Sequence, residues 1–470
     1  MTPFIDEDFL LDSGTARRLY HEHAAQLPII DYHSHLPPAE IQSRKRFADI
    51  TELWLGADHY KWRLMRSAGV AEELITGRAA PRDKFLAFCQ VLPLAIGNPV
   101  HHFSHLELRR LFDIPLIING DNGPTLWDLI NARLQDLDTW SFLHKSRVEI
   151  VCTTDDPADD LLPHRELAAT SLATRVLPAL RPDQAMRINH PGFPEYLTRL
   201  SACAGEKIQS FAALAAALAQ RAAYFARHGA RLGDHSIEVT LPAAVPDAAT
   251  LEALFALRLG GTALSPQQEA QYVCGLLLAL GRIYHHHGWA MCLHIGALRN
   301  SNTRRWERLG GDSGHDSIGE YALLPGLARL LDALDRTAQL PRTVLFCLNP
   351  AQNAVLATLL GSFQEGGAAG KLQLGPAWWF NDHREGNLEQ LRTLAAHGVL
   401  GTFVGMVTDS RSFASYPRHE YFRRLLCRQL GAWVEQGEYP DDAQALAQLV
   451  RGICCDNARA YFAFAERPMP

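Results

Sequence analysis

The chain has 470 residues, 47% of them hydrophobic and 20% charged, with 45 lysines and arginines against 51 aspartates and glutamates and a net charge of −6. Such a composition suits a globular fold with a large core. It excludes the general basic field that nucleic acid or an anionic membrane would reward, so an anionic ligand would have to be held by local arginines.

Short apolar runs with β-branched residues, each closed by polar or turn residues, predict eight strands in chain order. They are Leu27–His35, Val148–Thr154, Arg175–Leu180, Arg231–Thr240, Trp289–Ile295, Arg342–Leu348, Lys371–Trp379 and Gly401–Thr408. Alanine- and leucine-rich stretches with helical spacing lie between most of them, as at Gln267–His287, Tyr321–Leu340, Asn353–Leu360 and Leu388–His397. Strand-helix alternation implies a parallel sheet, and eight repeats is the number that closes a (β/α)8 barrel. An open doubly wound sheet would show a glycine-rich phosphate turn after an early strand, and none is present. Gly366–Lys371 (GGAAGK) only imitates one, because Leu372 replaces the hydroxyl residue and a strand follows.

The division expected from this pattern is an N-terminal segment with the first strand (1–36), a helical insertion (37–147), the rest of the barrel (148–420) and C-terminal helices (421–470). The insertion is too long for a βα loop and is rich in helical and aromatic sequence, which suits a subdomain over the barrel mouth. A second helical insertion is expected near 190–228.

In a barrel, chemistry gathers at the C-terminal ends of the strands. The predicted strands end in His33 and His35, Asp155 and Asp156, Arg181, His235, His294, Asn349, Trp378 with Trp379, and Asp409 with Arg411. Alternation puts His33 and His35 on one side of their strand, a two-imidazole grip that lacks only a carboxylate or a third imidazole to complete a metal site. His294 is the natural third imidazole, and Asp409 is either a carboxylate ligand or a base kept ionised beside the metal. Arg411 shares the face of Asp409 if the extended conformation persists. Arg181, in LRPD, suits a carboxylate clamp, although a local pair with Asp183 explains it equally well. His59 and Tyr60, in ADHYKWR, are proton relays if the insertion covers the mouth and helix-surface residues otherwise. His285, His286 and His287 read as the basic end of a helix before Gly288, and His101 and His102 carry no assignment. No GxSxG elbow is present, which argues against a serine hydrolase.

The nine cysteines form no CxxC pair, which suggests a reducing compartment. The start, MTPFIDEDFL, is acidic where a signal peptide would be basic, and Phe211–Ala219 is too short to span a bilayer. A cytoplasmic protein is expected, and a homo-oligomer with it.

With these residues in view, the chain resembles uronate isomerases of the amidohydrolase superfamily of metal-dependent barrels. The resemblance runs nearly end to end and is carried by DYHSHL (31–36), ADHYKWR (57–63), RPD (181–183), LHIGALRNSNTR (293–304), DSIGE (316–320), AWWFND (377–382) and GMVTDSRSFASYPRHEYFRR (405–424). It implies interconversion of D-glucuronate with D-fructuronate and of D-galacturonate with D-tagaturonate. It also implies one divalent metal, zinc, on His33, His35 and Asp409, with His294 a ligand or a substrate contact. Many superfamily hydrolases bridge two metals with a lysine after the fourth strand, and RLGDHSIEVT has none, so a mononuclear site is expected. On this reading the metal and Arg411 would stabilise an enediolate, Arg181 would hold the substrate carboxylate, and Trp378 and Trp379 would wall the pocket. His59 with Tyr60, or Asp409, would move the proton. The competing readings are a metal hydrolase acting on an amide or lactone, and a binding protein that has lost turnover.

Overall fold

The computed structural model describes residues 3–464; the remainder of the expected N-terminal segment and C-terminal helices, 1–2 and 465–470, lies outside the described residues. Among the described residues nine strands are formed: β1 Ile29–Asp31, β2 Val148–Cys152, β3 Arg175–Leu177, β4 Leu232–Ile237, β5 Ala290–Ile295, β6 Ala297–Leu298, β7 Ser317–Ile318, β8 Arg342–Cys347 and β9 Leu372–Leu374. β1-β2-β3 and β4-β5-β8-β9 are parallel sheets in chain order, while β6 and β7 form a small antiparallel ribbon. Leu180 bridges the two sheets, pairing with Asp155 on one side and Gly233 on the other. All six residues of β5 are buried, as expected of a strand covered on both faces.

The eighth expected strand is corrected. Gly401 lies in a 3-10 turn, Leu400–Thr402, and residues 403–408 carry no ladder. Gly405 sits at φ +78, where a β-carbon would stand 2.2 Å from the Ile453 carbonyl oxygen, so regular pairing breaks there. Side chains bond this segment to its neighbours instead. Gln373 Oε1 accepts from Val404 N at 3.0 Å, Tyr32 donates to the Gly405 carbonyl at 3.0 Å, and the Asp31 carboxylate accepts from Thr408 N and Oγ1 at 2.8 and 2.6 Å. The seventh strand is also shorter than expected. It stops at Leu374, and Trp378 and Trp379 lie beyond it, Trp379 at φ +51 opening a 3-10 turn.

Between β1 and β2 the chain is helical, with seven α-helices from Pro38–Gln42 to Thr139–Lys145. Their apolar faces form a core of their own around Trp54, Met65, Phe85, Phe88, Leu111 and Phe142, continuous with Ile29 and Val148 of the sheet. The helix Pro266–His287 starts in a Ser265–Gln268 capping box and ends at left-handed Gly288, which leaves the three histidines in its last turn. Among the described residues no helix is long and apolar enough to cross a membrane.

Candidate active site

β1 runs straight into the site. Two residues past its end, His33 is fully buried, and its Nε2 lies 2.9 Å from Asp409 Oδ1; His35 Nε2 lies 3.1 Å from the same oxygen. Asp409 comes from the far end of the chain, and its backbone N donates to the His33 carbonyl at 3.3 Å, with φ +46 turning the side chain toward the two imidazoles. Its second oxygen accepts from Trp378 Nε1. His35 Nδ1 meets Thr154 Oγ1 at 3.0 Å, which fixes the ring.

On the other side of His33 lies Asp234 of β4, fully buried, with Oδ2 3.6 Å from His33 Nδ1 and Oδ1 2.8 Å from His294 Nδ1. His294 stacks on Phe346 at 4.2 Å and meets the Trp378 edge at 4.7 Å. The four expected ligands, joined by Asp234, therefore fall into two overlapping sets, His33–His35–Asp409 and His33–Asp234–His294, each with ligand atoms within 4.8 Å of one another. His33 presents a different nitrogen to each, so His294 does not complete the first set.

These donors fit a divalent cation. Burial would lower the His33 pKa, but Asp234 and Asp409 outweigh it and raise it, so the pocket calls for positive charge at this ring. Burial would raise the Asp409 carboxyl, yet hydrogen bonds from His33 and His35 hold it well below the usual carboxylate range. Burial pushes His35 down to about 4, leaving the neutral imidazole that a metal needs. The close approach of His294 Nδ1 to Asp234 Oδ1 is not aligned as a hydrogen bond, and both atoms, with His33 Nδ1, are buried without a hydrogen-bond partner.

Above this floor opens a cavity of about 660 Å³. His59, Tyr60, Arg181, Trp378, Trp379 and Arg411 all line it together with His33, His35, His294 and Asp409, so the residues given a site role from the sequence reach one chamber. His59 and Tyr60 open the helix His59–Ser67, whose first turn is capped by Asp58 through Tyr60 N and Lys61 N. Burial lowers the His59 pKa and raises the Tyr60 phenol well above its usual range, so the pair presents a neutral imidazole and a protonated phenol.

Arg181 answers to both of its sequence readings. It faces the cavity, but Nε is already paired with Asp183 and Nη1 with Asp234, each at 2.8 Å. Only the remaining edge of the guanidinium is open to an anion. His235 does not belong to the site. Alternation turns it outward with Gly233 against Tyr284, where burial depresses it to about 4. Asp155 bonds Thr153, and Asn349 caps the 3-10 turn Pro350–Gln352.

The sequence reading missed Asp234, Arg299 and Asp312. The signal for Asp234 was the same alternation that selects His33 and His35, since a carboxylate inside an apolar strand and out of phase with His235 must face inward. Arg299 lies over the Trp379 ring at 4.6 Å, and Asp312 pairs with Arg411 Nη2 at 3.0 Å.

The chain has close relatives. A family model described as glucuronate isomerase matches residues 1–462. A uronate isomerase of Caldicellulosiruptor saccharolyticus is 48% identical over 467 residues, covering 99% of this chain and 100% of the relative. One of Photorhabdus laumondii is 48% identical over 468 residues, covering 98% and 99%. The crystal structure of uronate isomerase from Thermotoga maritima superposes with a TM-score of 0.92 at 32% identity, covering 98% of this chain and 100% of that one. That of glucuronate isomerase from Caulobacter crescentus gives 0.91 at 25% identity, covering 99% and 98%. A match of this extent, on a fold that gathers these histidines, carboxylates and arginines in one cavity, means that the chain belongs to the uronate isomerase (glucuronate isomerase) family.

Proposed function

We propose that the protein is an aldose-ketose isomerase of sugar-acid catabolism that interconverts D-glucuronate with D-fructuronate, and D-galacturonate with D-tagaturonate, by way of an enediolate. The observation that carries this reading is the convergence of His33, His35 and Asp409 on the floor of a cavity whose walls hold four arginines, Arg181, Arg187, Arg299 and Arg411. On the same reading the seven parallel strands and the 403–410 segment are the eight staves of a (β/α)8 barrel of the amidohydrolase type. The helices of 37–147 form a subdomain over its mouth, and the enzyme is a cytoplasmic homo-oligomer.

His33, His35 and Asp409 would hold one divalent ion, zinc by its donor set, with His294 kept for Asp234 and the cavity wall. Such an ion supplies Lewis acidity to the substrate carbonyl and to charge developing on its oxygen. The chain's own groups do the rest. Arg181 offers its open edge to the carboxylate remote from the reacting carbons. Tyr60, held protonated, donates to the oxygen that becomes anionic, and Arg411 adds fixed positive charge nearby. Asp409, held ionised, takes the C2 proton, exchanges it with solvent and delivers a proton to C1, while His59 relays protons between the oxygens. Trp378 and Trp379 wall the pocket.

The test is to supply glucuronate in deuterated water, before and after chelation. The reading expects a ketose that carries solvent deuterium at C1 and a rate that chelation lowers and added zinc restores. Failure to form any ketose would overturn the isomerase assignment, and a ketose without deuterium would replace the proton route by a hydride shift.

A further inference from the structure

The excursion after β5 passes over the cavity and carries an acid that the reaction outlined above does not use. Its GGDSG turn (310–314) places Gly310, Asp312 and Gly314 at positive φ, +80, +54 and +90. The middle one has a side chain, so the conformation costs energy that something else must offset. Contacts with the helix His59–Ser67 hold it. Arg66 donates to the Ser313 carbonyl, and Arg63 Nη1 donates to the Asp316 carbonyl at 2.7 Å. A β-carbon on Gly314 would stand 3.2 Å from the His59 carbonyl oxygen, so the turn lies directly on that helix. Ser313 Oγ closes the turn onto the Gly310 carbonyl at 2.8 Å, and the Asp316 carboxylate receives Asn300 N at 2.7 Å.

Braced in this way, Asp312 lies at the cavity wall with Oδ2 3.0 Å from Arg411 Nη2 and Oδ1 3.7 Å from Arg299 Nη1. Arg299 is further shared with Glu238 at 3.6 Å and with Asp316 at 3.5 Å. Two of the four cavity arginines thus meet one protein carboxylate, the same functional group that a sugar acid presents. We propose that Asp312 is a specificity-determining residue: it occupies Arg411 and Arg299, so that those two guanidiniums do not capture anions and a ligand's carboxylate is left the open edge of Arg181. The proposal rests on the reading that the cavity takes a carboxylate-bearing sugar, and it concerns selection of the ligand rather than the chemical step.

The physical consequence is a gain of binding when the charge is removed, which a damaged fold would not produce. In Asp312→Asn the two arginines lose one full negative charge at contact distance in a half-exposed setting, enough for about a tenfold change in affinity for an anion. The probes are D-gluconate, a sugar acid without the carbonyl needed for isomerisation, and D-glucitol, its uncharged counterpart. Equilibrium binding to the metal-loaded protein should show gluconate tightening about tenfold in Asp312→Asn, glucitol changing less than twofold, and Asp312→Glu returning gluconate to near its original affinity. Gluconate that fails to bind more tightly, glucitol that shifts in step with it, or an Asp312→Glu variant that behaves like Asp312→Asn would each overturn the proposal. Because gluconate is not turned over, a tighter complex in a protein that makes no ketose would leave Asp312 its role and remove the isomerase reading. Ketose formation with unaltered gluconate affinity would do the reverse.

Discussion

Two buried clusters of charge face one another across the cavity wall, and they solve the same electrostatic problem differently. At the strand ends, Asp234 and Asp409 are surrounded by imidazoles, and several ring and carboxylate atoms there have no hydrogen-bond partner. In the insertion, Lys61 stands 2.7 Å from Asp58 and 3.8 Å from Glu107, with Lys61 and Glu107 both more than nine-tenths buried. The lysine is a cation fixed by a covalent tether, so the second cluster carries its own permanent charge, although Glu107 Oε2 also lacks a hydrogen-bond partner, and it holds the helix that carries His59 and Tyr60 in place. An imidazole gives up its proton near neutrality, so the first cluster can trade a proton for a metal ion. Buried carboxylates mark function where the cation beside them is exchangeable, and structure where it is not.

The comparison can be broken at its functional end first. Asp409→Asn removes the carboxylate shared by both imidazoles, and kcat should fall roughly 10³-fold with little change in unfolding free energy. A small effect on kcat joined to a large loss of stability would move Asp409 into the structural class.

At the other end, Lys61→Met leaves two carboxylates buried without their cation, which should cost about 3–5 kcal/mol in urea unfolding. Adding Glu107→Gln should recover part of that loss. Lys61→Met with unaltered stability and a collapsed kcat would mean that the lysine takes part in the chemistry.

The smallest effect is a pH dependence. Burial, only partly opposed by Lys61, pushes the Glu107 carboxyl up to about 7. An unfolded glutamate ionises near pH 4.3, so across that window the native state keeps a proton that the unfolded chain has lost. Stability from this group is therefore full at low pH, declines by at most about 1.4 kcal/mol per pH unit as pH rises toward 7, and is level above. Glu107→Gln should gain on the parent protein across that interval in urea titrations at stepped pH. Parallel curves would show that Glu107 ionises in the native protein as it does in the unfolded chain.

Much of the site was legible because strand parity is local. The spacing of His33 and His35 puts them on one side of an extended run, and the apolar runs before Arg181, His294 and Asp409 mark where the chain delivers polar groups to the site. The same parity would have found Asp234, but His235 beside it is the more conspicuous residue, and only the packing of Gly233 against Tyr284 shows that the histidine faces outward. The eighth strand was misjudged for a related reason. Its composition is that of a strand, but Gly405 must clear the Ile453 carbonyl, and side chains of Gln373, Tyr32 and Asp31 take over the bonding that a ladder would have supplied.

The sequence by itself determined the parallel alternation of strands and helices, the helical character of the long insertion, and the rim of histidines, arginines and aspartates. All of these follow from periodicity within a few residues. Tertiary structure alone decided that Asp409 meets His33 across 376 positions of chain, that Asp312 meets Arg411 across 99, and that Arg181 already holds two carboxylates. Those contacts depend on how distant elements close on one another, and the energy that selects them is summed over a whole core rather than written in any short run of residues.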